Sequence, residues 1–300
     1  MAADPTSGLL DVSPAPETSK SLSPRRLITD GIRNRSTREI SRGLELDRSL
    51  LPFALSSAVT KGSVPLTSYL LATERASLDT LTPLCVATEP SIELLDVVVS
   101  MGWDINQRSP DKGAGKGQRL LDLVIGDEGL VRWCLEHGAQ ISDGADEEDT
   151  FKYSPLTESV AGLGTVSSFK LLRENNARIG QRTLHRAAEG AATCNAAEKP
   201  ERMAMLRFLV EEERLNVNQM DTDEQLPNHW GTPIAYAAKG KDGVNVVTWL
   251  LERGADPTIK DCWGIHDALS LAKRFGNEEV AQVLRESMKG TERALRLAKR

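Results

Sequence analysis

TPIAYAAKGKDGVNVVTWLLERGADP, residues 232–257, predicts two short helices joined by a turn. Pro233 suits the first position of a helix, because the N–H that it lacks would have no partner there, and the preceding Thr232 can cap the helix. The apolar residues of VVTWLL recur at helical spacing and predict a second helix with one buried face. Gly254 then stands where a helix ends in the left-handed region.

The same unit recurs along the chain. Its apolar marker residue occurs at Leu55, Leu84, Leu121, Leu156, Leu184, Ile234 and Leu269. With the long interval before Ile234 set aside as an insertion, the spacing averages about 33 residues. The end of the second helix is marked in the same way by Gly102, Gly138 and Gly254. No single unit of this size can bury its own apolar face, so the units are expected to stack.

The first-helix pattern and the second helix that ends in Gly-Ala-Asp closely resemble the two helices of the ankyrin repeat. The resemblance implies an all-α ankyrin-repeat solenoid of about seven helix-turn-helix repeats over residues 51–287, with β-hairpin or finger loops between them. The composition agrees with small stacked repeats. Only 4 % of the 300 residues are aromatic and 40 % are hydrophobic, which is too few for one large aromatic-rich core. Loops on such a rigid array are where binding specificity is normally placed.

The remaining residues divide into three segments. Residues 1–24 are rich in proline and serine and predict a disordered arm. Residues 25–50 form a basic segment with seven arginines, although the whole chain carries a net charge of −6. Residues 288–300 predict a basic C-terminal cap. We find no apolar run long enough to span a bilayer and no secretory signal, so we expect an intracellular protein, in the nucleus, the cytoplasm or both.

The sequence lacks the residue patterns of catalysis. It contains no nucleophile elbow, no recognisable carboxylate pair and no Cys/His metal spacing. GAGKG at residues 113–117 fails as a phosphate loop, because Gly117 stands where Ser or Thr should hold Mg²⁺. His185 is expected to hydrogen-bond backbone groups, and Cys134 to be a buried thiol. We therefore expect no enzyme activity, no catalytic, cofactor or metal site and no small-molecule substrate.

Aromatic residues are the candidates for binding a protein partner on the concave face and the finger loops. They lie at or near first helices and loop tips, and aromatic side chains concentrate binding energy at interfaces. The alternative is that each packs against the adjacent repeat. The candidates are Trp103, Tyr153, Trp230, Tyr236 and Trp263.

Residues 33–42, RNRSTREISR, resemble the basic region of leucine-zipper transcription factors, in which Asn-Arg is followed after five residues by Ser-Arg. On one continuous helix Asn34 and Arg42 would share a face, so the resemblance implies DNA contact by Asn34, Arg35 and Arg42. No leucine heptads follow. A basic region joined to ankyrin repeats is the layout of the fungal bANK regulators. The alternative is an arm that is disordered or folds on a partner.

These observations together predict a non-enzymatic adaptor that binds proteins. The bANK resemblance implies a transcription co-regulator of a fungal pathway gene cluster. Two alternatives remain open at this stage: direct DNA binding through residues 25–48, and a cytoplasmic inhibitor or targeting subunit.

Overall fold

The computed structural model describes residues 23–110, 116–141, 155–221 and 230–298, with the side chains placed as far as residue 290. These residues form sixteen α-helices and no β-strand. The helices are α1 (Pro24–Arg33), α2 (Thr37–Leu46), α3 (Leu51–Thr60), α4 (Val64–Ala72), α5 (Pro83–Val86), α6 (Ile92–Ser100), α7 (Leu120–Leu123), α8 (Glu128–Glu136), α9 (Leu156–Leu163), α10 (Val166–Glu174), α11 (Thr183–Thr193), α12 (Lys199–Glu211), α13 (Pro233–Ala237), α14 (Val244–Glu252), α15 (Ala268–Arg274) and α16 (Glu278–Ala298).

The helices pair in chain order and stack into two layers. The first helices of successive pairs contact one another, as in α1 with α3, α3 with α5, and α11 with α13. The second helices contact one another in the same way, as in α4 with α6 and α8 with α10. One continuous apolar core, mostly of leucine, valine and alanine, runs between the layers from Ile28 to Leu284. The predicted all-α solenoid is confirmed.

The N-terminal boundary differs from the expected one. Residues 25–50 form the helix pair α1–α2, which packs on α3 and buries Ile28, Ile40 and Leu44 in the common core. The two helices touch closely at Gly43, where an added Cβ would lie 2.7 Å from the Cγ1 atom of Ile28. The basic segment is therefore an eighth helix pair of the array and is not an arm that precedes it.

The two terminal segments are only partly described. Ser23 caps α1, whose first residue is Pro24, and the rest of the expected disordered arm lies outside the described residues. At the other end, α16 is one 21-residue helix, so the boundary expected at residue 288 falls inside it.

Local sequence signals begin and end the helices mostly as predicted. The Thr82 hydroxyl accepts a hydrogen bond from the N–H of Cys85 and caps α5. Thr232 does not cap α13 with its side chain, because the N–H of Ala235 donates instead to the Thr232 carbonyl, at 2.9 Å. Gly254 ends α14 with a φ of +85°, and Gly102 and Gly138 behave alike.

Two asparagines hold successive repeats in register. The Nδ2 atom of Asn218 donates to the Gly254 carbonyl at 2.9 Å, and its Oδ1 atom accepts from the Asp256 N–H at 2.7 Å. Asn106 makes the equivalent pair with the Gly138 carbonyl and the Gln140 N–H. Each asparagine thus ties its own loop to the turn that ends the next second helix.

Buried polar side chains attach the first helices to the neighbouring fingers. Nε2 of His185 lies 2.9 Å from the Gln219 carbonyl and 3.0 Å from the Gly231 carbonyl, so the imidazole donates to both from this nitrogen, as the backbone-bonding prediction requires. Asp221 accepts from the N–H groups of Trp230 and Gly231, at 2.9 Å each. Burial lowers the pKa of His185 to about 4, although the charge of Asp221 opposes the change.

Replacing Asn218 by alanine is expected to lower the free energy of unfolding by about 1–2 kcal/mol, because two hydrogen bonds between repeats are lost. Urea unfolding followed by circular dichroism measures the difference. Asn245→Ala on the exposed side of α14 is the matched control, with an expected change below about 0.5 kcal/mol. Equal effects of the two variants would contradict the register role of Asn218.

The burial of neutral His185 predicts an acid-sensitive fold. The pKa is near 6.5 in the unfolded chain and about 4 in the folded chain, so the unfolded state binds the proton first. The contribution of neutral His185 to the free energy of unfolding is complete above pH 6.5. It is lost as the pH falls towards 4, at up to about 1.4 kcal/mol per pH unit. The free energy of unfolding, measured by urea titration between pH 4 and 7, should fall with this slope in the wild type and in His137→Gln. His185→Gln should flatten it, and an unchanged slope would refute the assignment.

Candidate interaction surface

An aromatic and cationic cluster lies where the last two repeats meet on the first-helix side. The ring of Trp230, just before α13, packs edge-on against Phe275 at the end of α15, with 5.8 Å between centroids. The Nζ atom of Lys239 lies 5.0 Å from the Trp230 centroid, and the Cζ atom of Arg274 lies 5.6 Å from it. Both cations are within cation–π range of the indole. We call these four residues the Trp230 cluster.

An ion-pair chain connects the Trp230 cluster to α11. Lys239 donates to the Oε1 atom of Glu189 at 2.7 Å, and Arg186 donates to its Oε2 atom at 2.8 Å. Burial alone would raise the pKa of Glu189, but the hydrogen bond and charge of Lys239, with those of Arg186, hold this pKa below its usual value. Glu189 is therefore a carboxylate at neutral pH, and one carboxylate faces two cations.

A cavity of about 330 Å³ continues this surface towards α9. Its lining includes Arg186, Glu189 and Leu163, and the Leu163 side chain is 67 % exposed at the end of α9. The surface therefore runs across the first helices of four consecutive repeats, from α9 to α15.

The finger between α14 and α15 adds two exposed large apolar side chains to this surface. Its tip is closed by a hydrogen bond from the Asp261 N–H to the His266 carbonyl, at 2.8 Å. Trp263 and Ile265 project from the tip, 58 % and 64 % exposed. A Cβ added to Gly231 would lie 3.2 Å from the Cα of Asp261, so the finger adjoins the residue that follows Trp230.

The structure corrects part of the aromatic prediction. Trp103 is 3 % exposed and donates its indole N–H to the Leu81 carbonyl at 3.1 Å. Tyr236 is 1 % exposed, and its hydroxyl donates to Asp221. Burial, with the Asp221 hydrogen bond, raises the pKa of Tyr236 well above its usual value. Both rings stabilise the array and have no surface to offer a partner. Tyr153 lies outside the described residues.

Of the described aromatic candidates, Trp263 is exposed and Trp230 is partly buried at the surface. The other members of the surface, Leu163, Lys239, Ile265, Arg274 and Phe275, were not found from the sequence. They come from three different repeats and share no motif, so only the stacking of the repeats brings them together.

The basic segment does not form the continuous helix on which the DNA prediction depends. Helix α1 ends at Arg33, Arg35 has a φ of +54°, and Ser36 caps α2. Asn34 donates to the Oε2 atom of Glu39 at 3.2 Å. Asn34, Arg35 and Arg42 are all exposed, but Asn34 and Arg42 stand on opposite sides of a helix break and do not share one helical face. The comparison with a leucine-zipper basic region is therefore wrong in its geometry.

Buried Cys134 has the environment predicted for an inert thiol, because burial raises its pKa to about 12. Within the described ranges, no three His, Cys, Asp or Glu side chains lie close enough together to hold a metal ion. None of the helices in the described part of the chain is long and apolar enough to cross a membrane.

Comparison with known proteins agrees with this architecture. The family model of the ankyrin repeat matches residues 231–262, which comprise α13, α14 and the start of the following finger. A search of curated proteins gives no match. Residues 231–262 are thus an ankyrin repeat, and the described helix pairs form an all-α ankyrin-repeat solenoid.

Proposed function

We propose that this chain is an adaptor that binds a protein partner through the Trp230 cluster and the finger tip with Trp263 and Ile265. Ankyrin repeats are protein-interaction modules, and the match at residues 231–262 begins directly after Trp230. The observation that carries the proposal is the meeting of apolar and cationic side chains from adjacent repeats on one face, where Arg274 and Phe275 are exposed and Trp230 and Lys239 are partly buried.

The composition of this surface is that of an interface hot spot. Tryptophan and arginine are the residue types that most often dominate binding energy, and Trp230 is flanked by Arg274 and Lys239. The exposed Trp263 and Ile265 offer an apolar anchor beside these cations. A segment with an apolar side chain next to acidic residues is the partner chemistry that complements both features.

We also propose a cellular role for this adaptor. We favour transcription co-regulation, because the arginine side chains of the α1–α2 pair are exposed on an array whose net charge is otherwise acidic. The order of segments, a basic stretch followed by ankyrin repeats, is the layout of the bANK regulators of fungal gene clusters and is the second reason for this proposal, although α1 and α2 do not keep the leucine-zipper geometry. A cytoplasmic inhibitor or targeting subunit would have the same fold, so imaging of the tagged full chain distinguishes the two.

The Trp263→Ala/Ile265→Ala variant is expected to weaken partner binding about tenfold or more, because the exposed apolar anchor is removed at little cost to the fold. The full chain is used as bait in nuclear and cytosolic extracts, and the affinity of each captured protein is then measured with purified components. Leu46→Ala/Ile92→Ala is the control, since these residues are also exposed but lie on second helices. A partner that binds both variants equally would contradict the assigned surface.

The broken helix predicts that any DNA binding by α1 and α2 is independent of sequence. Six arginines of this pair are exposed, so affinity should depend on phosphate contacts and fall steeply between low and moderate salt. Arg35→Ala/Arg42→Ala should reduce the salt slope by about two counterions. Fluorescence anisotropy with two unrelated duplexes tests this, and a strong preference for one duplex would favour a specific DNA regulator.

A further inference from the structure

A second groove lies at the opposite end of the first-helix layer, between α1 and α3. Its volume is about 670 Å³, and its walls come mostly from the C-terminal halves of the two helices and the turns that follow them, with Phe53 from the first turn of α3. The lining includes Ile32, Arg35, Phe53, Ser56, Lys61 and Ser63 and contains no carboxylate. The groove exists because the basic segment packs on α3 as a helix pair, so the sequence pattern gave no sign of it.

The cations of this groove are available to a ligand. Arg35 follows the end of α1 and Lys61 follows the end of α3, and neither has an acidic partner among the described residues. Arg33, which also lines the groove, donates to Asp30 at 3.1 Å. Two cations that form no ion pair among the described residues therefore face one cavity. The Glu89 carboxylate lies beside the turn at Gly62, where its Oε2 atom would be 3.5 Å from an added Cβ.

The groove also offers hydroxyl donors. The side chains of Ser56, Ser57 and Ser63 make no hydrogen bond to any residue of the described ranges. The nine-residue helix α4 begins directly after Ser63, and the start of a helix favours an anion. On the apolar side, Phe53 lies beneath the guanidinium of Arg25, 4.3 Å from its Cζ atom, and Ile32 is nearly buried.

We propose that the α1–α3 groove binds a phosphorylated serine or threonine in a peptide segment of a partner protein. A phosphate carries about two negative charges and three acceptor oxygens, which match the two cations and the serine hydroxyls better than a carboxylate with two oxygens does. Ile32 and Phe53 provide an apolar floor for a neighbouring side chain of the peptide. The charged groups thus select the phosphate, and the apolar floor selects the side chain next to it in the peptide.

This site is separate from the surface proposed above. It lies on the first two helix pairs, whereas the Trp230 cluster is built from the last two. Loss of binding at one site is therefore expected without loss at the other, and the Trp263→Ala/Ile265→Ala variant serves as a test of this independence.

Binding of the full chain is measured on peptide libraries with a fixed central residue and random flanks, the central residue being phosphoserine, glutamate or serine. The test variant is Arg35→Gln/Lys61→Gln, which removes both free cations of the groove. The matched control is Arg207→Gln/Lys241→Gln, which removes the same two residue types at exposed positions remote from the groove. Lys61→Arg preserves the charge, and circular dichroism verifies that each variant folds.

We expect the phosphoserine library to bind about tenfold more tightly than the serine library, with the glutamate library between them. Arg35→Gln/Lys61→Gln should remove this preference, whereas the matched control, Lys61→Arg and Trp263→Ala/Ile265→Ala should retain it. Equal binding of the three libraries, or equal binding by the test and control variants, would overturn the proposal. Tighter binding of a DNA duplex than of the phosphoserine library, lost in the same variant, would replace the peptide by nucleic acid.

Discussion

Each helix pair of this protein depends on its neighbours for the burial of its apolar residues. A helix such as α5, with four residues, has no stability of its own in water, and even the nine-residue α6 is below the length at which isolated helices persist. Val86, Leu94, Leu95 and Val98 become fully buried only because the adjacent pairs cover them. Burial of each such side chain stabilises the array by about 1.5–3 kcal/mol. Stacking is therefore the constraint from which the rest of the structure follows.

Stacking also explains the basic segment at the N-terminus. Among the described residues, the pair α1–α2 has a neighbour on one side only, and a terminal unit of a stack needs a polar outer face. The pair α1–α2 meets this requirement, because Ile28, Ile40 and Leu44 face the core while its arginines face solvent. The arginines thus have a structural reason to be there that is independent of nucleic acid, and the groove between α1 and α3 arises as a consequence of the same packing.

Apolar stacking alone would allow repeats to slide, and polar side chains prevent this. Asn106 and Asn218 each bridge to a turn more than thirty residues ahead, with both a donor and an acceptor. His185 and Asp221 hold the finger that leads to Trp230. The surface residues at the fingers are positioned by these buried groups, so the register of the stack and the geometry of the proposed interface share one cause.

The sequence by itself determined the repeat, the all-α stacked fold and the ends of several helices, because Pro233, Thr82 and Gly254 act through local backbone geometry that any stretch of chain carries with it. It did not determine which aromatic rings are buried. Trp103 and Tyr236 lie at positions that look as accessible as those of Trp230 and Trp263, and only the packing of adjacent repeats separates the two sets. The helix break at Arg35 has a local cause, because the Ser36 hydroxyl accepts from the Glu39 N–H and starts α2. The groove behind Arg35 and the Trp230 cluster were decided by tertiary structure, since each depends on contacts between residues that no short sequence pattern connects.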